Sequence, residues 1–272
     1  MRKLNRLLLA AVVAAVGSVA FADGTAETVC ECEGAYRWHL QGVCTDGPHL
    51  YWTFSDRLVK TDLEGKRLAC VPSPMHSGDL CCRKGHVYVA VNRGKFNGDG
   101  PADSWVYVYK ASDLSFVRKH PVPEVVYGAG GMTAKGDRFY VIGGLPKGCQ
   151  TNYVYEYASD FRFVKRHDLA TGWLNLGIQT VSYENGKFYF GNYGGSGKPA
   201  NTFACGADLK GPFEFYLPAS DYGILTVKGR LCSGEHLKKT DPETGKQACG
   251  GRLVPFAAIR LKRDPKTGRW AK

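Results

Sequence analysis

The stretch "VYVYKASDLSFVRKH" at 106–120 returns as "VYEYASDFRFVKRH" at 154–167, one residue shorter at the turn and identical at nine of fourteen aligned positions. A chain that writes the same hairpin twice is building from a repeated supersecondary unit. The flanks repeat as well. "HSGDLCCRKGHVYVAVN" precedes the first copy and "YGAGGMTAKGDRFYVIGG" the second, while "HLQGVCTDGPHLYWTF" opens an earlier unit and "LGIQTVSYENGKFYFGNYGG" a later one. A degenerate last unit runs from "YGILTVKGRLCSG" through "GRLVPFAAIRLKRD".

Five units result. Tyr51, Tyr88, Tyr140 and Tyr189 mark the second strand in four of them, at intervals of 37, 52 and 49 residues. Each unit consists of short valine- and aromatic-rich runs broken by Gly, Asp-Gly, Asn-Gly or Ser-Asp, the pattern of strands joined by tight turns. No window carries a sustained helical period. Spacing near fifty residues suits four-stranded blades, which bury their faces only when stacked radially. The reading is an all-β, five-bladed β-propeller, with the duplicated hairpin as the outer half of adjacent blades.

The fifth unit lacks an outer strand, and the segment "CECEGAYRWHL" before the first unit has no place in it. The simplest closure pairs residues 30–38 with the blade formed by 222–264, so that the last blade is completed by an N-terminal strand.

The extreme N-terminus has a different character. "MRKLNR" carries three positive charges, and "LLLAAVVAAVGSVAFA" follows, ending in an A-x-A pattern at Ala20, Phe21 and Ala22. This predicts a signal peptide over 1–22 and a single propeller domain over 23–272. The apolar core is about fourteen residues, short of the roughly twenty that span a bilayer, and no later segment reaches that length. A secreted or periplasmic location without a transmembrane segment is expected. All ten cysteines lie beyond residue 22. In an exported chain this favours disulfides, at least two, with Cys232–Cys249 as one pair across a turn-rich hairpin. No C-x-x-C spacing supports a zinc site.

Charge is uneven. The net charge of +11 falls to +8 without the leader. Residues 23–227 hold 21 basic and 21 acidic side chains, whereas 228–272 hold 12 and 4. That end is either a solubilising edge or a patch for an anionic envelope polymer. No nucleic-acid recognition motif occurs.

Through "HLQGVCTDG", "HSGDLCCRKGHVYVAVN" and "VYGAGG", most of the mature chain resembles a family of secreted bacterial five-bladed propeller proteins. That resemblance implies a fold and no activity. "HLQGVCTDGPHLYWTFSDRLVKTDLEGK" is similar to the repeat opening of plant and bacterial glutaminyl cyclotransferases, also five-bladed, over little more than one unit.

In a propeller the start of each inner strand lies at one mouth of the central channel. The repeat phase therefore gathers His39, Gln41, His76, Asp79, Tyr127, Gln179 and Tyr222 there as candidate ligand-binding residues. The loops "NRGKFNGDGPADSW", "GGLPKGCQTN" and "GNYGGSGKPANTF" should stand on the same face. His39, His76 and Asp79 are the candidate ligands for a divalent metal, although they lack a local spacing signature. Asp99 and Asp103 offer oxygens for calcium without the EF-hand order of ligands, and a solvated turn is the alternative. His120 and His167 fall on outer strands as structural residues. Glycoside hydrolysis needs two facing carboxylates, for which Asp79, Glu124 and Asp221 are the candidates. No serine-elbow or phosphate-loop spacing is present.

The leading expectation is an extracytoplasmic propeller binding a small molecule or glycan at the channel mouth. An enzyme on the same face, either a carbohydrate hydrolase or a glutaminyl cyclotransferase-like acyl-transfer enzyme, is the alternative; an envelope protein with only a structural role is the third class.

Overall fold

The computed structural model describes residues 27–193, 201–217, 220–256, 259–263 and 270–271. The predicted leader and the "GGSGKPA" part of the third loop lie outside them. After β1 (Cys30–Glu31), the chain builds five antiparallel sheets in order. Blade I holds β2 (Leu40–Thr45), β3 (Leu50–Phe54), β4 (Arg57–Thr61) and β5 (Arg67–Pro72). Blade II holds β6 (Ser77–Arg83), β7 (His86–Asn92), β8 (Ser104–Lys110) and β9 (Phe116–Pro121). Blade III holds β10 (Ala129–Lys135), β11 (Arg138–Gly143), β12 (Asn152–Tyr157) and β13 (Phe163–Leu169). Blade IV begins with β14 (Thr180–Glu184), β15 (Lys187–Asn192), β16 (Asn201–Gly206) and β17 (Glu214–Leu217). Blade V contains β18 (Ile224–Val227), β19 (Arg230–Thr240) and β20 (Gln247–Pro255).

The ring is a five-bladed β-propeller, and the duplicated hairpin forms β8–β9 and β12–β13, the outer halves of blades II and III. Its conserved spelling has a local cause. Asp113 and Asp160 each accept the backbone N–H two residues on, from Ser115 at 2.9 Å and Arg162 at 3.1 Å. This turns the chain while leaving the next residue, Leu114 or Phe161, in the left-handed region at φ of 61° and 65°. Such a conformation is rare for bulky residues, and burial of both side chains holds it in place. Blade IV repeats the device with Asp208 and Leu209.

Each second-strand tyrosine packs on the following blade. Tyr51 donates to Ala111 O at 2.9 Å, the Tyr88 ring lies 4.5 Å from Phe139, and Tyr140 lies 4.9 Å from Phe188. Tyr189 meets Phe256 at 6.0 Å. The hydrophobic core is accordingly a series of clusters between neighbouring blades rather than one centre.

Closure follows the expected N-terminal route and departs from it at the C-terminus. β1 pairs with β20 through Cys30↔Leu253 and Glu31↔Arg252, and Tyr36 bridges to Cys249. Residues 259–263, expected within the last blade, instead form β21 (Ile259–Arg263) on the edge of β17, followed by β22 (Trp270–Ala271). β1 already occupies the outer edge of β20, so the open edge is that of blade IV. Cys232 and Cys249 cannot pair. Cys232 stands opposite Pro255 and Cys249 opposite Lys238, six positions along β19, or roughly 20 Å at strand rise. A disulfide tolerates no Cα separation beyond about 7 Å. The ten cysteines are unbridged.

The basic C-terminal stretch is substantially engaged. Lys228 pairs with Glu64, Arg230 with Glu27, Lys239 with Glu31, Arg252 with Glu235 and Arg260 with Glu214. Four of these acids lie earlier in the chain, so part of the local excess is balanced across the ring seam. No helix among the described residues is long and apolar enough to cross a membrane.

Candidate functional site

Three inner strands begin with a bulge. The register shifts between Leu40 and Gly42, between Ser77 and Leu80, and between Ala129 and Gly131. A bulge leaves a residue outside the ladder and re-aims its side chain. Gln41, Gly78 and Gly130 occupy these breaks and line a cavity of about 330 Å³ at the starts of the inner strands. His39, His76, Asn97, Gln179, Phe96 and Tyr193 complete much of its wall.

The polar wall is organised before any ligand arrives. Gln41 Nε2 lies 2.8 Å from His39 Nε2 and donates to Ser55 Oγ at 3.0 Å. With the Gln41 amide in this orientation its nitrogen donates and His39 Nε2 accepts, the arrangement of a neutral imidazole with its proton on Nδ1. Burial lowers the His39 pKa in the same direction. Gln179 Nε2 donates to Leu176 O at 3.0 Å. The amide oxygens of Gln41 and Gln179 make no hydrogen bond among the described residues. Asn97 ties the blade II loop to blade III: its N–H donates to Tyr127 O and its Oδ1 accepts from Leu145 N. His76 sits edge-on to Phe96 at 5.8 Å.

His76, Asn97 and Leu176 all have positive φ, at 64°, 60° and 60°. Asn and His tolerate that region better than most residues, whereas Leu does so rarely. Three such residues on one wall are the kind of local strain that clusters at ligand sites.

The structure thus brings four of the sequence-predicted residues, His39, Gln41, His76 and Gln179, to one cavity. Tyr127 and Tyr222 stand outside its wall, against Tyr153 and His236 respectively. Asp79 lies deeper. It is 1% exposed, its Oδ2 accepts from Val181 N at 2.9 Å, and burial raises its pKa well above the usual carboxylate range. Glu124 accepts from Tyr157 Oη at 2.9 Å in an outer groove with Tyr155 and Arg166. Asp221 follows blade IV, with Oδ1 buried and unpartnered among the described residues, and burial pushes its pKa to about 7. No hydrogen bond joins any two of these three carboxylates. Among the described residues no group of three or more His, Cys, Asp or Glu side chains could hold a metal ion. Asp103 is engaged by Trp105 Nε1 at 2.6 Å. His120 stacks on Phe161 at 4.4 Å and His167 meets Glu156 at 2.8 Å, both on outer strands.

Phe96, Asn97, Leu176 and Tyr193 also line the cavity, and repeat phase alone does not single them out. An Asn-Gly turn at 97–98 was the available signal for Asn97.

By sequence the chain matches no family model and no curated protein. Among solved structures it is similar to a GH43_1 enzyme from Xanthomonas citri complexed with xylotriose, at TM-score 0.56 and 13% identity, over 91% of this chain and 93% of that one. The same enzyme complexed with xylose gives TM-score 0.55 at 12% identity, over 91% of this chain and 93% of that one. A xylan beta-1,4-xylosidase from Bacillus halodurans C-125 gives TM-score 0.51 at 12% identity, covering 90% of this chain and 56% of that one. At such identity the likeness shows the propeller fold, which this chain shares with glycoside hydrolases of known structure.

Proposed function

We propose that the propeller binds a small, neutral, hydroxyl-rich ligand, of which a short glycan is the representative class, in the cavity at the channel mouth. One observation carries the reading: the cavity wall combines amide and imidazole groups with aromatic and aliphatic faces, and its described lining includes no Asp, Glu, Lys or Arg. Neutral amides match hydroxyl groups as donors and acceptors, while Phe96 and Tyr193 offer apolar faces to a sugar ring. The volume suits the lower end of small-molecule sites, roughly 300–1,000 Å³. The xylotriose complex of the structurally similar enzyme supports the ligand class by analogy of fold. The leader-like N-terminus supports action outside the cytoplasm, in a secreted or periplasmic setting.

A second reading, a carbohydrate hydrolase or an acyl-transfer enzyme on the same face, draws on Asp221. A half-buried carboxyl pushed by desolvation to a pKa of about 7 is suited to proton transfer. Glycoside hydrolysis, however, needs a second facing carboxylate, and Asp79 is engaged with the backbone of blade IV. Calorimetric titration of the full chain with xylose, xylotriose and uncharged cello-oligosaccharides tests binding. Product analysis of the same mixtures tests turnover. Saturable heat without product supports the binding reading; product formation abolished by Asp221→Asn supports the enzyme, and neither heat nor product overturns both for this ligand class.

A further inference from the structure

The other end of the channel carries a pair of cysteines that the mouth does not use. Cys44 on β2 and Cys82 on β6 face each other with their sulfurs 3.3 Å apart. They belong to the last turns of ladder of two neighbouring inner strands, and with Thr133, Tyr183 and Glu184 they line a small polar cavity of about 130 Å³. Strand alternation explains the Cys81–Cys82 doublet. Successive side chains point to opposite faces, so Cys81 packs into the cluster between blades II and III beside Tyr88 and Phe139. Cys82 turns to the other face and joins Cys44 against the cluster between blades I and II.

We infer that Cys44 and Cys82 form a redox-controlled cross-link between blades I and II. Three observations support it together: the sulfur separation, the opposite facing of Cys81, and a cavity that admits solvent to this pair. Closing the bond requires the sulfurs to approach by little more than an ångström, to about 2.05 Å. The reaction is thiol–disulfide exchange. One thiolate attacks a small-molecule disulfide and releases one thiol, and the second cysteine then displaces the other thiol. Two cysteine protons and two electrons end on the two released thiols. Burial raises the pKa of Cys44 well above that of a free thiol, so exchange is slow at neutral pH and faster in mild alkali. The site does not depend on what the mouth binds.

The test uses the full chain equilibrated with oxidised glutathione at mildly alkaline pH, then alkylated and digested without reduction. A Cys44-containing peptide joined to the Cys81–Cys82 peptide is expected, two hydrogens lighter than the sum of its parts. It should persist in Cys81→Ser and vanish in Cys82→Ser. Because the link closes a 38-residue separation, oxidation should also raise the Tm of the Cys81→Ser protein by about 5–10 °C relative to its reduced form. Survival of the link in Cys82→Ser would assign it to Cys81 and overturn the proposal. So would alkylation of both Cys44 and Cys82 in folded, oxidised protein. If Cys82→Ser fails to fold, Cys81→Ser supplies the test: the linked peptide must persist there with Cys82 as the one cysteine left in the doublet, and its absence overturns the proposal.

Discussion

Asp79 Oδ2 accepts a hydrogen bond from the Val181 amide across the channel, tying the inner strand of blade II to that of blade IV. The contact depends on glycine. A Cβ on Gly42 would fall 2.2 Å from Asp79 Oδ1, and one on Gly131 would fall 2.9 Å from Asp79 Cβ. Burial raises the Asp79 pKa, so the folded state favours the neutral acid. The group's contribution to stability is then full below the unfolded pKa of about 3.9 and declines as pH rises toward the folded value. Asp79→Asn keeps an acceptor for Val181 and removes this slope. Its unfolding midpoint in urea at neutral pH should equal or exceed that of the wild type, whereas Asp79→Leu, which orphans the amide, should lose about 1–3 kcal/mol.

The cavity wall makes a separate prediction. Gln41→Ala and Gln179→Ala each remove an amide that offers a ligand an acceptor, and the two sit on different blades. Each should weaken glycan binding about 5- to 150-fold, the effect of losing about 1–3 kcal/mol. Calorimetry reads this loss. The Gln179 change should leave Tm nearly unaltered, and the Gln41 change should lower it slightly because His39 and Ser55 lose their partner.

Asp221 should titrate near pH 7, far above an ordinary aspartate, because desolvation of its half-buried carboxyl, with Oδ1 fully buried, is offset by no donor among the described residues. Its share of stability is present below about pH 4 and is lost as pH rises to about 7. Carboxyl-carbon NMR of wild type against Asp221→Asn would locate the titration. A midpoint near 4 would remove the basis for any acid–base role.

Close approach of inner strands is testable at Gly78. A Cβ there would lie 2.0 Å from Gly130 O, backbone against backbone, so relief requires moving blade II from blade III. Gly78→Ala should destabilise by about 2 kcal/mol or more and distort the cavity, because both glycines belong to its wall. Gly136→Ala, at a turn with open space around it, serves as the comparison for backbone strain alone.

Ring closure predicts the cost of losing the N-terminal segment. Tyr36 is buried, stacks on Phe54 at 4.0 Å and donates to Glu33 O, and its backbone bridges to Cys249. Tyr36→Ala should lower stability by about 3 kcal/mol, measured by urea denaturation, through loss of a buried aromatic at the seam between blades V and I.

Much of this fold is written locally. Strand alternation, the second-strand tyrosines and the Asp-Leu or Asp-Phe turns act over a few residues, so the blade is legible wherever the chain repeats it. Repeat phase also carries His39, Gln41, His76 and Gln179 to the same end of the inner strands of blades I, II and IV. The placement of Asp79 inside the channel was not legible, because a bulge over Gly78 and Asp79 decides which way that carboxyl points.

The sequence by itself determined the number of blades and the N-terminal closure, since these follow from periodicity and from an unpartnered strand. Tertiary structure alone decided the rest. β21 joined blade IV because β1 already held the edge of blade V. Cys44 met Cys82 rather than Cys232 meeting Cys249, because register along a long hairpin separates the latter pair while radial stacking brings neighbouring inner strands together. The cavity's composition depended on Phe96, Asn97 and Leu176, carried by irregular loops whose paths are set by contacts with other blades. Hydrogen-bonded periodicity can be read along a chain; competition for a free edge and the convergence of distant loops are properties of the closed ring.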